Sequence, residues 1–235
     1  MKPKCIAIIP AKSVSSRLPN KNIKKFLGKP MLGMTIQTLK RSKIFDKIIV
    51  STDSKKISNI AKKYGAEVPF LRPKKFANNI VSTIPAINHC INFLKSKKYD
   101  FDYVCEVYPA NPFLKVSDLR DGKRKIFQQK KHFVFSATNY IFPFYRSFSI
   151  TKKILKPIFK MNNKKRSQDL KRIMCDAAQF YWGHRKTWQK TKSSIFRSKS
   201  NIILIPSIRY HDIDTEEDWR RAELFYKVLK NKNKL

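Results

Sequence analysis

Cys5-Ile-Ala-Ile-Ile9, stopped by Pro10 and followed by Ala11-Lys-Ser-Val-Ser-Ser-Arg17-Leu-Pro-Asn-Lys21-Asn22, carries most of the information about the fold. An apolar run this short, ended by Pro10 and Lys12, predicts a buried strand over Ile6–Ile9 and not a secretion signal. The polar residues Lys12–Lys25 then predict a loop. Further along, Met31–Leu39 has helical spacing and Lys47–Ser51 reads as a strand. Lys55–Tyr64 predicts a helix closed by Gly65. Val81–Lys95 predicts another helix, with Pro85 near its start. Tyr103–Tyr108 is a predicted strand, Asp118–Gln129 a helix and His132–Ala137 a strand. Such alternation predicts an α/β fold, a mostly parallel sheet with helices on both faces.

From Thr138 to about Ile173 the pattern breaks, with Tyr140, Phe142, Phe144, Tyr145 and Phe148 crowded ahead of a basic stretch. Two readings stand for this segment: an arm that packs on a partner chain, or a long irregular connection. Regularity returns with Gln179–Trp182, Ile202–Pro206 and a helix over Thr215–Leu229. That helix opens on a capping box, Thr215 with Asp218.

The chain has 235 residues, 42% of them hydrophobic, which suits one globular domain with a sizeable core. No run approaches the ~20 apolar residues that span a bilayer, so no membrane partner is expected. Cys5, Cys90, Cys105 and Cys175 form no C-x-x-C pair and show no zinc spacing, as expected of free thiols in a reducing cytoplasm. The net charge of +36, from 52 Lys and Arg against 16 Asp and Glu, suits anionic ligands. The lysines are scattered, however, with no basic tail and no RNA-binding signature, in keeping with an AT-rich coding bias. No specific nucleic-acid partner is expected.

Ligands of a parallel sheet sit beyond the carboxyl ends of its strands, so the first loop is the place to look for chemistry. There Lys12, Arg17 and Lys21 alternate with Ser13, Ser15 and Ser16, a pattern suited to gripping a triphosphate. Near the other end, Asp212 and Asp214 are two apart. On an extended strand their carboxylates would share one face, with Ile213 turned into the core. Such a pair favours Mg²⁺; the alternative is that Asp214 or Thr215 caps the final helix. No histidine spacing points to catalysis.

Many ordered blocks resemble the acylneuraminate cytidylyltransferase family. They are Ile8-Ile-Pro-Ala11, Arg17-Leu-Pro-Asn-Lys-Asn22, Phe26-Leu-Gly-Lys-Pro30, Val50-Ser-Thr-Asp53, Tyr64-Gly-Ala-Glu67 and Phe70-Leu-Arg-Pro73. Tyr108-Pro-Ala-Asn-Pro-Phe113, Arg166-Ser-Gln-Asp-Leu170, Asp176-Ala-Ala-Gln-Phe-Tyr-Trp-Gly183 and Asp212-Ile-Asp-Thr-Glu-Glu-Asp-Trp219 continue the likeness. The Arg166 and Asp176 blocks look most like the pseudaminic acid branch.

The resemblance implies a Rossmann-like nucleotidyltransferase fold over residues 1–235 and a homodimer, with about 138–175 an inserted dimerisation and sugar-site segment. It implies transfer of CMP from CTP to a nonulosonic acid, with Mg²⁺ (or Mn²⁺) held by Asp212 and Asp214. CTP would meet Lys12, Ser15, Arg17, Lys21, Asn22, Arg72 and Ser82, with Lys12, Arg17 and Lys21 acting on the reacting phosphates. The sugar would meet Tyr108, Asn111, Gln179 and Tyr181, with Arg166 from the partner subunit. Residue types alone leave Tyr181 open to a core role and Arg72 to a turn beside Pro73.

One block departs from the family pattern, whose first loop usually reads Arg-Gly-Gly-Ser-Lys-Arg. Here Lys12-Ser-Val-Ser-Ser-Arg17 lacks both glycines, and with them easy access to positive φ. Val14 is β-branched, and Lys12 lacks the guanidinium fork. The altered loop leaves open a relative whose nucleotide binding is weakened, and the resemblance separately leaves open a different sugar acid, N-acetylneuraminic or legionaminic.

Overall fold

In a computed structural model describing residues 3–77, 82–129, 132–141, 144–159, 166–192 and 194–232, the first apolar run becomes strand β1 (Cys5–Pro10). Its side chains alternate between two cores. Cys5, Ala7 and Ile9 enter one, while Ile6 and Ile8 enter the other. After the first loop, β2 (Lys25–Phe26) and β3 (Lys29–Pro30) make a tight hairpin. Leu27 and Gly28 turn it at φ 46° and 86°, which explains why glycine stands there.

Helix α1 (Met31–Ser42), strand β4 (Lys47–Ser51) and helix α2 (Lys55–Lys63) follow, α2 capped by the Ser54 hydroxyl. Next come α3 (Thr83–Ser96), β5 (Tyr103–Val107), α4 (Val116–Gln129) and β6 (Phe133–Asn139). The expected start of α3 at Val81 lies outside the described residues. Outside the main sheet, β7 (Phe148–Thr151) and β8 (Ile154–Pro157) form a hairpin. The chain ends with β9 (Met174–His184), α5 (Arg185–Lys190), β10 (Asn201–Leu204) and α6 (Glu216–Asn231).

The main sheet has the order β10-β6-β9-β5-β1-β4. β4, β5 and β1 run parallel, as do β6 and β10, but β9 is antiparallel to both neighbours. The expected parallel character holds with this one reversal, and β9 is longer than the predicted Gln179–Trp182. Leu32, Ile36, Ile57, Ala61, Leu119 and Ile126 of α1, α2 and α4 cover one face. Ile84, Ile87, Ile91 and Leu94 of α3, with Trp188 of α5, cover the other. A Cβ added at Gly122 would lie 2.7 Å from the Trp182 ring, so α4 can seat on β9 only through a glycine.

The capping box of α6 forms as the sequence predicts, with Thr215 and Asp218 bonded reciprocally. Its apolar face closes a third core, where Phe26 meets Trp219 edge-on at 5.4 Å. β6 and β9 pair as far out as Asn139 and Met174, so residues 140–173 depart and return at adjacent points. Among the described residues no helix is long and apolar enough to cross a membrane.

Candidate active site

The sheet order reverses at β1, which has β4 on one side and β5 on the other. The loops after β1 and β5 therefore diverge and leave a crevice at the carboxyl ends of the strands. Into it come the first loop, residues 108–113 after β5, the start of antiparallel β9, and the segment 209–214 ahead of α6.

The first loop is drawn together by its own polar groups. Asn22 is buried and donates from Nδ2 to the Lys12 carbonyl at 2.9 Å. Lys12, Ser15, Lys21 and Asn22 line one small cleft. Burial first, then the charges of Arg72 and Lys21, pulls Lys12 below the ordinary lysine value. Arg72 is 5% exposed, and its Nε has no hydrogen-bond partner among the described residues. A buried guanidinium beside a half-buried lysine, with Asp53 nearby, gathers positive charge at this cleft. Its backbone N–H also donates to the Thr52 carbonyl at 2.7 Å, so the turn role beside Pro73 stays open.

Neither Ser13 nor Val14 has positive φ; in this loop only Asn20 does, at 56°. Instead the Ser13 backbone N–H donates to Asp53 at 2.8 Å and its hydroxyl donates to the same carboxylate. The loop without glycines thus takes ordinary backbone geometry and is tied to the end of β4. Asn78 and Asn79, a second place where the resemblance leads one to expect acidic residues, lie outside the described residues.

Arg17 and Lys21 both grip Asp214, Lys21 at 3.0 Å, and Lys21 also donates to the Ile213 carbonyl at 2.8 Å. Residues 210–214 are not part of a strand, yet the expected alternation is kept. Ile213 is 2% exposed among Leu18, Phe26 and Trp219, while Asp212 and Asp214 face outward. Partial loss of hydration, and then the Asp214 charge beside it, raises the Asp212 carboxyl. Helix capping falls to Thr215 and Asp218, which leaves the Asp212–Asp214 pair for other work. Among the described residues no group of three or more His, Cys, Asp and Glu gathers around a common point. Two carboxylates still fit Mg²⁺, which keeps several waters and takes further oxygens from substrate phosphates.

A second cleft joins Lys21, Asn22 and Asp212 to Tyr108, Asn111 and Gln179. Gln179 reaches it through a distortion of β9. The pairing of β6 with β9 slips between Phe135 and Ala137, and Ala178 sits at φ 50°. The Ser136 hydroxyl takes up the displaced backbone, accepting from the Gln179 N–H at 3.0 Å and the Phe180 N–H at 3.3 Å. Gln179 Nε2 donates to the Arg209 carbonyl at 3.1 Å, and Oε1 has no partner among the described residues. Asn111 Nδ2 donates to the Gln179 carbonyl at 3.1 Å. Arg209 is itself fixed by a buried ion pair with Asp118 at 2.6 Å.

A third cleft shares Tyr108 with the second and adds Ser82, Tyr181, Asp176 and Glu106. The Tyr181 hydroxyl donates to Asp176 at 2.6 Å, which excludes a purely apolar core role for this ring. Arg166 stands apart in the exposed segment, paired with Asp169 at 2.9 Å, and lines none of the three clefts.

Sequence reasoning missed Glu106, Asp118 and Arg209 and gave no role to Asp176. For Glu106 a signal was present: it is the one charged residue in the predicted strand Tyr103–Tyr108. The Asp118–Arg209 pair carries no local signal, since its members are 91 residues apart.

Residues 6–228 match the sequence model of a family described as cytidylyltransferase. The chain is 36% identical over 226 residues to a pseudaminic acid cytidylyltransferase of Campylobacter jejuni, covering 96% of this chain and 97% of that one. It is 31% identical to a CMP-N,N'-diacetyllegionaminic acid synthase of Legionella pneumophila, covering 93% and 94%. A solved CMP:2-keto-3-deoxy-manno-octonic acid synthetase in complex with CTP superposes with a TM-score of 0.70, over 96% of this chain and 99% of that one. At 14% identity that likeness concerns the fold alone. With a family match along nearly its whole length and relatives above 30% identity across it, the chain belongs to the cytidylyltransferase family.

Proposed function

We propose that this protein transfers CMP from CTP to the anomeric hydroxyl of a nine-carbon 2-keto-3-deoxy sugar acid, pseudaminic acid before others, and releases pyrophosphate. The observation that carries this reading is the meeting of Lys21, Asp212, Tyr108, Asn111 and Gln179 around one cleft, beside the cationic first loop. Relatives named for pseudaminic acid support the choice of sugar. Lys12, Arg17, Lys21 and Arg72 bind the triphosphate and offset its charge, which makes the α-phosphorus more electrophilic. Asn22 and Ser15 position the loop and the nucleotide, with Ser82 beside it. Gln179, Asn111, Tyr108 and Tyr181 orient the sugar so that its hydroxyl attacks in line with the departing pyrophosphate.

Asp212 and Asp214 would hold Mg²⁺ (or Mn²⁺). Bound there, the ion supplies positive charge to the phosphate oxygens. Arg17 and Lys21 flank Asp214, so the cations that would meet phosphate lie beside the carboxylates that would hold the ion. The exposed hairpin β7–β8 supports the reading of residues 138–175 as a dimerisation arm, because Phe148, Ile150 and Leu155 share one face and are each more than half exposed. In a homodimer of this kind Arg166 reaches the partner's sugar site.

The test is pyrophosphate release from CTP and Mg²⁺ with pseudaminic, legionaminic and N-acetylneuraminic acids, for the natural protein and Asp212→Asn. Turnover with pseudaminic acid that vanishes in the variant is expected. Preference for another acid reassigns the sugar, and no turnover with any of them refutes the reading.

A further inference from the structure

Glu106 is 1% exposed on β5, within a strand whose other residues are Tyr103, Val104, Cys105 and Val107. The residue nevertheless borders the third cleft, about 170 Å³ in volume, where Tyr108, Tyr181 and Asp176 are also found. The Glu106 Oε1 atom has no hydrogen-bond partner among the described residues. An unsatisfied carboxyl oxygen buried at the wall of a cleft is costly unless the group is neutral or a ligand completes it.

The groups facing it define what that ligand is. From α3 comes the Thr83 hydroxyl, which bonds to the Glu106 carboxyl. From β9 come Tyr181 and Asp176, joined to each other, with Asp176 Oδ1 also accepting from the Ala178 N–H at 2.9 Å. Tyr108 follows directly on the end of β5, and Ser194, Ile195 and Phe196 close the far wall. Among the described residues no lysine or arginine lines this cleft, so none of them pairs there with an ionised Glu106 or receives the carboxylate of a substrate. Desolvation pushes the Glu106 carboxyl up to about 8, against the Thr83 hydrogen bond, which favours the charged form, and with a smaller upward contribution from Asp176. Burial thus favours the protonated form, which can donate a hydrogen bond. Burial raises Tyr108 and Tyr181 above the ordinary phenol range, so neither titrates near neutrality.

We propose that Glu106 is a specificity-determining residue whose carboxylic acid hydroxyl donates to the carbonyl oxygen of an uncharged acylamino substituent on the sugar. This assignment rests on the transfer reaction proposed above and narrows its substrates to sugar acids carrying such an amide. A sugar bearing only hydroxyls leaves the donor without its strongest acceptor.

The experiment compares the natural protein with Glu106→Gln and Glu106→Leu at saturating CTP and Mg²⁺, from pH 6.5 to 9.5. The sugars are pseudaminic acid and 3-deoxy-manno-octulosonic acid. For the natural protein, kcat/KM for pseudaminic acid should be level to about pH 8 and then fall about tenfold per unit, as the donor ionises. Glu106→Gln keeps an uncharged donor and should lose that alkaline limb. Glu106→Leu should raise the KM for pseudaminic acid about tenfold, the size of one lost hydrogen bond. The KM for CTP should not move in either variant. Persistence of the limb in Glu106→Gln, or an unchanged sugar KM in Glu106→Leu, overturns the assignment while leaving the transfer reaction standing. If the natural protein turns over no sugar, the transfer reaction fails first and this assignment falls with it.

Discussion

Replacing Glu106 by glutamine should stabilise the fold increasingly as pH rises, whatever the enzyme does with its substrates. Unfolded, a glutamate titrates near 4.5; in the folded chain this one titrates near 8. Between those values the folded state holds a proton that the unfolded state has released, so stability falls with rising pH. The loss begins above the unfolded value and is complete above the folded one. At about 1.4 kcal/mol per unit, the carboxyl costs roughly 3 kcal/mol at pH 7 and between about 4 and 5 kcal/mol above pH 8. The side chain is fully buried, so solvent screening does not reduce these figures much. A glutamine at this position has no such titration, and Thr83 can donate to its carbonyl as it does to the acid. Urea unfolding of both proteins from pH 5 to pH 9 isolates the effect, because every other titration is common to the two. The stability difference should grow by about 4 kcal/mol over that range and then level off. A difference independent of pH, or one that changes only below pH 5, would show that Glu106 ionises normally and is hydrated, and the reasoning would be wrong.

Two further expectations follow from other parts of the molecule. Restoring glycines with Ser13→Gly and Val14→Gly should remove the Ser13 hydroxyl's bond to Asp53, leave only the backbone N–H bond there, and allow closer backbone approach to phosphate. The KM for CTP should then fall roughly 3- to 10-fold, about one hydrogen bond's worth; an unchanged value in steady-state assays would mean that the loop of this chain already binds as well as one with glycines. Ile150→Lys places a charge at the centre of the exposed hairpin face. It should convert a dimer to a monomer in light scattering with the thermal transition of the core unmoved, and a variant that stays dimeric would locate the interface elsewhere.

The parts of the fold that can be read from the sequence are those where one strand or helix carries its own signal. β1 and β4 are short apolar runs because both of their faces are covered, and α6 announces its first turn through Thr215 and Asp218. β9 is harder to read. Its first residues, Met174 to Ala178, are mostly polar or small, and the bulge at Ala178 breaks the alternation on which strand reading depends. Nothing local marks it as antiparallel. The hairpin β7–β8 reads as irregular because its apolar residues face outward and no buried periodicity exists to detect. In the site, Lys12, Arg17, Lys21 and the two aspartates stand out by charge and spacing. Asp118 and Arg209, which anchor Gln179 from below, are joined only by the tertiary fold.

Asn139 and Met174 face each other across two hydrogen-bonded strands, so the excursion between them is attached to the sheet like a drawer to a cabinet. Its closure entropy is already met by the β6–β9 ladder, whatever lies between. Residues 140–173 can therefore lengthen, shorten or change sequence over evolution while the cores beneath stay packed. Selection can revise the surface that this segment presents separately from the chemistry of the crevice.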